Sequence, residues 1–438
     1  TSLVANLIDR GRMAGLAAAQ EGRISAAYLQ PQPDDTVPRF DYESHIAALT
    51  GADPHWPDST RAISELRLSL RVRPTGLLAG LQGPRVLHLD IVDYPGEWLL
   101  DLPLLGKSYA EWSREAMALS RLPNRKGLAG DWHKTAKKIN PNATADEAKA
   151  RALAGTFTDY LRACREDATA LSTLPPGRFL MPGDLEGSPA LTFAPLDLDA
   201  NASADGSLHA MMERRYESYK TIVVKPFFRE HFARIDRQII LVDALQALNA
   251  GGAAVADLEA ALSEIMECFN HGKRSWLTSL FSTRTDRILF AATKADHLHH
   301  ENHDRLESIL EKLVERAASR AKFAGAEVDV VALAAIRATK EAEITEGGEM
   351  LPVIVGIPMA GEMMGKEKFD GSTRTAVFPG DLPKTPGDVF KPERAPGDLK
   401  FLRFTPPKLE KTAEGVTFSL PHIRLDRALD FLLGDALQ

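Results

Sequence analysis

Two strand ends carry the residues best suited to chemistry. The run Val86-Leu87-His88-Leu89-Asp90-Ile91-Val92 leads into Asp93-Tyr94-Pro95-Gly96, and much later Arg287-Ile288-Leu289-Phe290-Ala291-Ala292 leads into Thr293-Lys294-Ala295-Asp296. In a nucleotide switch, an aspartate at a strand end holds Mg2+, usually through water. A glycine three residues on gives its amide to the terminal phosphate, because only a residue without a side chain permits that approach. Asp93 and Gly96 fit these roles. Asp296 is suited to accept two parallel hydrogen bonds from the N1–H and exocyclic amine of guanine, a pattern adenine does not offer. The stem of Lys294 can lie over the base plane, and Thr293, at a place where asparagine is commoner, can bridge loops. Each tetrapeptide alone reads equally well as a polar turn after a core strand. Both together, in this order, point to a protein that takes GTP and GDP with Mg2+.

Other candidates are graded by what competes with them. Thr60, in Trp56-Pro57-Asp58-Ser59-Thr60, precedes an alternating strand and can offer Mg2+ a hydroxyl, with Ser59 second; capping is the competing role. Glu97 follows Gly96 and can orient an attacking water, or serve only as a carboxylate at a helix N-terminus. Arg61 is near enough in sequence to act as an arginine finger in cis. His297, His299, His300 and His303 cluster after the second motif, but without an organised carboxylate or thiol they read as a polar loop and helix start. Gly106-Lys107-Ser108 imitates the end of a phosphate loop. Asp101 stands where that loop needs its first glycine, and no apolar strand leads into it, so it is a decoy. Lys220 and Lys225 flank Ile222-Val223-Val224, with Arg214, Arg215 and Arg229 nearby, and read as a solvated helix face.

These residues need strands to carry them. Leu66, Leu68, Leu70 and Val72 alternate with polar neighbours, which predicts a half-exposed, antiparallel strand, joined through a Gly/Pro-containing connection to the strand ending at Asp93. Ile239 to Val242, Ile288 to Phe290 and Val328 to Leu333 are short apolar runs separated by helical patterns, one through Asp257 to Cys268 and one on Leu306, Ile309, Leu310 and Leu313. Alternation of that kind predicts a mostly parallel sheet with helices on both faces. Leu3, Val4, Leu7 and Ile8 predict a first helix over Thr1 to Met13, and a short helix is expected around Tyr42 to Leu49. Between Leu99 and Ile235 no strand is expected. Thr144-Ala145-Asp146-Glu147 looks like a capping box opening a helix that runs past Tyr160, and Met181 to Ser207 reads as an irregular loop. After Glu346 come two further strand-like runs, Pro352 to Gly356 and Phe401 to Phe404, and a final helix over Leu425 to Leu433.

Composition narrows the class. A chain of 438 residues with 44% hydrophobic content can bury more than one domain's core. A net charge of −7 argues against nucleic acid as a partner. Two cysteines, Cys164 and Cys268, are too few for a disulfide framework or a thiolate zinc site. No apolar run is long enough to cross a bilayer. The expected location is cytoplasmic, with peripheral docking at the inner membrane on a protein partner compatible with this.

At this point the chain resembles the YcjX-like P-loop proteins of Gram-negative bacteria. The resemblance rests on Asp90 through Leu105, Tyr109-Ala110-Glu111-Trp112, Leu241 through Gly251, Thr293 through His297, Ala334-Ala335-Ile336-Arg337-Ala338-Thr339 and Phe378-Pro379-Gly380-Asp381, and covers essentially the whole chain. It implies an α/β fold: a Ras-like P-loop GTPase domain with a helical insertion and a small C-terminal strand-containing extension. The corresponding divisions are 1–98 and 236–345 for the GTPase domain, 99–235 for the insertion and 346–438 for the extension. It also implies backbone contact to guanine at Ala334 and Ala335, slow GTP hydrolysis, a bacterial stress-response role and an unknown protein partner. Members carry Gly-x-x-x-x-Gly-Lys-Thr directly before the first helix. Thr1 already lies inside that helix, so the phosphate loop is expected upstream, and residues 1–438 alone are expected to hold nucleotide poorly. The alternatives are a non-catalytic, nucleotide-bound adaptor and an ATPase.

Overall fold

The computed structural model describes every residue except 9–12, 14, 76–82, 168, 171–172, 199–204, 232–233, 269–284, 347, 392–398, 400, 409–410, 413–414 and 417–419. Its strands are β1 (Ile24–Gln30), β2 (Ser64–Val72), β3 (Arg85–Asp93), β4 (Arg237–Val242), β5 (Arg287–Ala292), β6 (Glu327–Ala332), β7 (Lys340–Glu346) and β8 (Glu349–Gly356). The helices used below are α1 (Ser2–Ile8), α2 (Tyr42–Thr50), α3 (Tyr109–Ser120), α4 (Glu147–Glu166), α5 (Leu208–Tyr219), α6 (Gly252–Glu267), α7 (His303–Phe323) and α8 (Leu425–Leu433).

Connection length sets the strand directions. The short link after β2 returns the chain antiparallel, pairing Ser64 with Asp93 and Val72 with Arg85. β4, β5 and β6 are separated by helices and pair in parallel, Ile240 beside Phe290 and Phe290 beside Val330. The expected mostly parallel sheet is therefore found as two three-stranded sheets, β1-β2-β3 antiparallel and β4-β5-β6 parallel. Neither β3 nor β4 pairs along its other edge with a described strand. β1 was not foreseen, because Ser25, Ala26, Ala27 and Gln30 give its sequence little apolar alternation.

β5 is buried on both faces, and its period of two divides the molecule between two cores. Ile288, Phe290 and Ala292 face one core with Leu306, Ile309, Leu310 and Leu313 of α7, and that core runs on through Trp112, Phe157, Tyr216 and Phe228 of the helical block. Leu289 and Ala291 face the other, with Val4 and Leu7 of α1, Leu66, Leu68 and Leu70 of β2, and Leu429 and Leu432 of α8. Each such leucine, fully buried, contributes roughly 1.5–3 kcal/mol. β2 is more deeply buried than its alternation implies: Ser69 is inaccessible and bonds Gln30 and His88.

No strand occurs among the described residues between Asp93 and Arg237. Thr144 does not cap a helix. The N-cap of α4 is Asp146, whose carboxylate accepts from the amides of Ala148 and Lys149, while Thr144 bridges to Ser207. The capping box in this region lies at Ser108, whose hydroxyl accepts from the Glu111 amide while Glu111 accepts from the Ser108 amide. Lys107 is held by Glu115 and Glu264 at 2.6 and 2.9 Å, and Gly106-Lys107-Ser108 leads into the start of α3. Lys220 is also less solvated than expected, bonding the Lys107 carbonyl at 2.9 Å. In the C-terminal part, β7 and β8 pair antiparallel and Phe404 makes only an isolated bridge to Pro358. Replacing Ser108 by alanine removes one half of the capping box. The unfolding free energy is expected to fall by about 1 kcal/mol, read from the midpoint of chemical denaturation.

Candidate functional site

The sequence candidates lie at strand ends, and the first pair is in direct contact. The Thr60 hydroxyl donates to the Asp93 carboxylate at 2.7 Å, bringing two hard oxygen donors together from the loop before β2 and the end of β3. That donor set suits Mg2+. Gly96 is exposed, and a Cβ placed on it would meet nothing within 4 Å. Packing within the chain therefore does not demand glycine there. Arg61 carries its side chain 78% exposed with Asp58 at 3.8 Å as its ionic neighbour.

From Gly96 the chain enters a 3-10 segment, Gly96–Gly106, that is clamped by the helical block. Glu97 pairs with Arg165 of α4 at 2.8 Å. Trp98 is buried, donates from its indole N–H to the Met181 carbonyl at 3.0 Å, and carries the Arg178 guanidinium 3.2 Å above its ring. Asp101, inaccessible to solvent, accepts from the Gly177 amide at 2.7 Å, the Arg178 amide at 3.3 Å and the Tyr219 hydroxyl at 2.6 Å. Burial pushes its carboxyl up to about 6, against the pull of those three donors and of Arg178. The same burial, with Asp101 beside it, raises the Tyr219 hydroxyl well above its ordinary value. Gly177 is indispensable here, since a Cβ on it would sit 1.8 Å from the Glu97 carbonyl oxygen. Asp101 was considered in the sequence only as a missing glycine. A lone acid inside Trp98-Leu99-Leu100-Asp101-Leu102 was the signal that it has buried partners.

The second motif is braced from β4 and from the loop after β6. The Thr293 amide donates to the Val242 carbonyl at 3.0 Å, and Lys294, with a left-handed φ of 62°, pairs with Asp243 at 2.6 Å. A non-glycine residue in that region is uncommon and is held there by its surroundings. Asp296 is buried; its carboxylate accepts from the Ala338 amide at 2.8 Å and its carbonyl from the Thr339 hydroxyl. Each carboxylate oxygen has two acceptor positions, so capacity for a base edge remains. The Ala334 amide donates to the Ile423 carbonyl at 3.1 Å, because the loop pairs with the chain just before α8. Ala335 is exposed.

The Ser2 hydroxyl of α1 donates to the Ala335 carbonyl. The histidines separate. His297 lies edge-on to Phe404 with ring centroids 5.5 Å apart, and burial lowers its pKa. His303 bonds the Ala295 carbonyl at 2.9 Å. His299 and His300 both face Glu341 of β7.

Comparison with known proteins agrees in one direction. The profile of the YcjX-like family matches residues 1–437. The "Ras-like GTPase YcjX" of Escherichia coli (strain K12) is 39% identical over 443 residues, covering 99% of this chain and 90% of that protein. The protein of the same name from Shewanella oneidensis (strain MR-1) is 36% identical over 429 residues, covering 96% of this chain and 85% of that one.

The Asp101 carboxyl yields a pH signature. A carboxyl whose pKa is raised on folding binds its proton more tightly in the native state, so its contribution to stability falls as pH rises from about 4 to about 6. In Asp101→Asn that component is absent. The gap in unfolding free energy between wild type and variant is expected to shift by about 3 kcal/mol against the wild type across this window, measured by denaturant titration at successive pH values.

Proposed function

The chain belongs to the YcjX-like family, and from that premise we propose that it is a GTP-binding protein that hydrolyses GTP slowly to GDP and phosphate and acts as a nucleotide-dependent switch. One observation carries this reading: the Thr60 hydroxyl and the Asp93 carboxylate, the two groups nominated for Mg2+, meet at 2.7 Å. The relatives' name is a further support, and the stress-response role rests on the family resemblance alone.

Asp93, through water, and the Thr60 hydroxyl would hold Mg2+, which when bound neutralises charge on the β- and γ-phosphate oxygens. Gly96, open on the side its missing Cβ would occupy, offers its amide to the terminal phosphate. Asp296 receives the guanine edge, Lys294 and Thr293 fix the loop, and Ala335 is the remaining candidate for backbone contact to the base. A phosphate-cradling loop is also required. Lys107 and Ser108 are engaged elsewhere and do not supply it. In the same reading residues 99–235 form a helical insertion within the GTPase domain and residues 346–438 a C-terminal extension.

One observation favours the adaptor reading. Glu97, the candidate for orienting water, has its carboxylate held by Arg165. Single-turnover hydrolysis of GTP by protein carrying its phosphate loop separates the two: cleavage supports the GTPase, and bound GTP that persists supports the adaptor.

Base recognition has its own test. Asn at position 296 presents an amide N–H where the carboxylate accepted one, which suits the C2 carbonyl of xanthine and not the amine of guanine. Asp296→Asn is expected to shift preference from GTP towards XTP by tenfold or more, about 1.4 kcal/mol, in competition binding that includes ATP; retained GTP preference would remove Asp296 from the base site. Trp98 lies two residues past Gly96, and its fluorescence is expected to differ between GDP and a non-hydrolysable GTP analogue. Identical spectra would disconnect Gly96 from the helical block.

A further inference from the structure

The histidine cluster looked in sequence like a polar loop because no carboxylate was organised with it as a ligand. The fold supplies one. Glu341, on β7, points Oε2 at His300 Nδ1, 2.6 Å away, and at His299 Nε2, 3.9 Å away. One ligand atom from each of the three residues lies within 4.8 Å of the other two. An ion bound at ~2.0–2.2 Å in tetrahedral geometry separates its ligands by roughly 3.3–3.6 Å. Opening the His300–Glu341 hydrogen bond by about an ångström, with the His299 contact closing slightly, brings the three into that range. His300 is 64% exposed in its side chain and free to turn.

Two features set this trio apart from an ordinary polar contact. His299 is 5% exposed, and its Nε2, the ring nitrogen turned toward Glu341, lies 3.9 Å from Oε2, too far for a hydrogen bond. The other oxygen of Glu341 is held by Arg337 at 3.0 Å, which fixes the carboxylate and leaves Oε2 directed at the imidazoles.

We propose that His299, His300 and Glu341 form a binding site for a zinc-class divalent transition ion, with water completing the shell. Two imidazoles and one carboxylate are the ligand set such ions prefer over Mg2+ or Ca2+. The ion ties the loop that follows Asp296 to β7, and Arg337 of the adjoining loop already grips the same carboxylate. Bound metal therefore stiffens the frame around Asp296. Only this last consequence rests on the proposed function; the site itself does not.

The test is titration of the full chain, free of any histidine tag and of nucleotide, with Co2+ followed by visible absorption. A His-ligated, near-tetrahedral cobalt absorbs far more strongly than the octahedral ion that oxygen donors such as Thr60 and Asp93 would hold. A strong one-to-one band, displaced by Zn2+ and at least about tenfold weaker in affinity in both His300→Asn and Glu341→Gln, is the expected result. His300 is on the surface, so its variant folds even if Glu341→Gln does not. Absence of a strong band in the wild type, or an unchanged band in His300→Asn, overturns the proposal. Because no nucleotide is present, this outcome is independent of the GTP and XTP competition.

Discussion

Asp101 is the constraint around which the phosphate side of the molecule is organised. A carboxylate without solvent is costly unless donors surround it, and its three donors all come from the helical block: the amides of Gly177 and Arg178 and the hydroxyl of Tyr219. Meeting that demand brings residue 177 so close to Glu97 that only glycine fits, places the Arg178 guanidinium over Trp98, and leaves Glu97 to pair with Arg165. The segment that begins at Gly96 thus cannot shift without disturbing a buried polar network. A terminal phosphate sensed at Gly96 would be felt in the helices, which is the coupling the proposed switch requires.

The base side is organised by a different restraint. β5 is buried on both faces, so its C-terminal end has little freedom, and the loop beyond it is fixed from three directions: Val242 and Asp243 at the end of β4, Ala338 and Thr339 after β6, and His303 at the start of α7. The left-handed Lys294 is a consequence of those ties. Asp296 is thereby held rigidly, as the base-reading role proposed for it requires.

The elements most legible in the sequence were those whose own residues suffice to specify them. The β2–β3 hairpin, the parallel runs ending at Val242, Ala292 and Ala332, and α7 follow from apolar period and connection length. Asp93 and Thr60 were each nominated locally, and the fold brings them into contact. Elements whose stability comes from elsewhere were not legible: β1 pairs with β2 despite a weak pattern, and the helix at Glu147 takes its cap from Asp146 because Thr144 is used in a bridge to Ser207.

What the sequence by itself determined was the set of strand ends and the residue types placed on them, because hydrophobic periodicity and short motifs are local properties of the chain. Which of those residues are engaged was decided only by the tertiary structure: the Ala334 amide by Ile423, Glu97 by Arg165, and His299 and His300 facing a glutamate from a strand some forty residues on. A hydrogen bond or a ligand set needs its partners within a few ångströms, and proximity across such separations is fixed by how the sheets and helices pack, which no local pattern encodes.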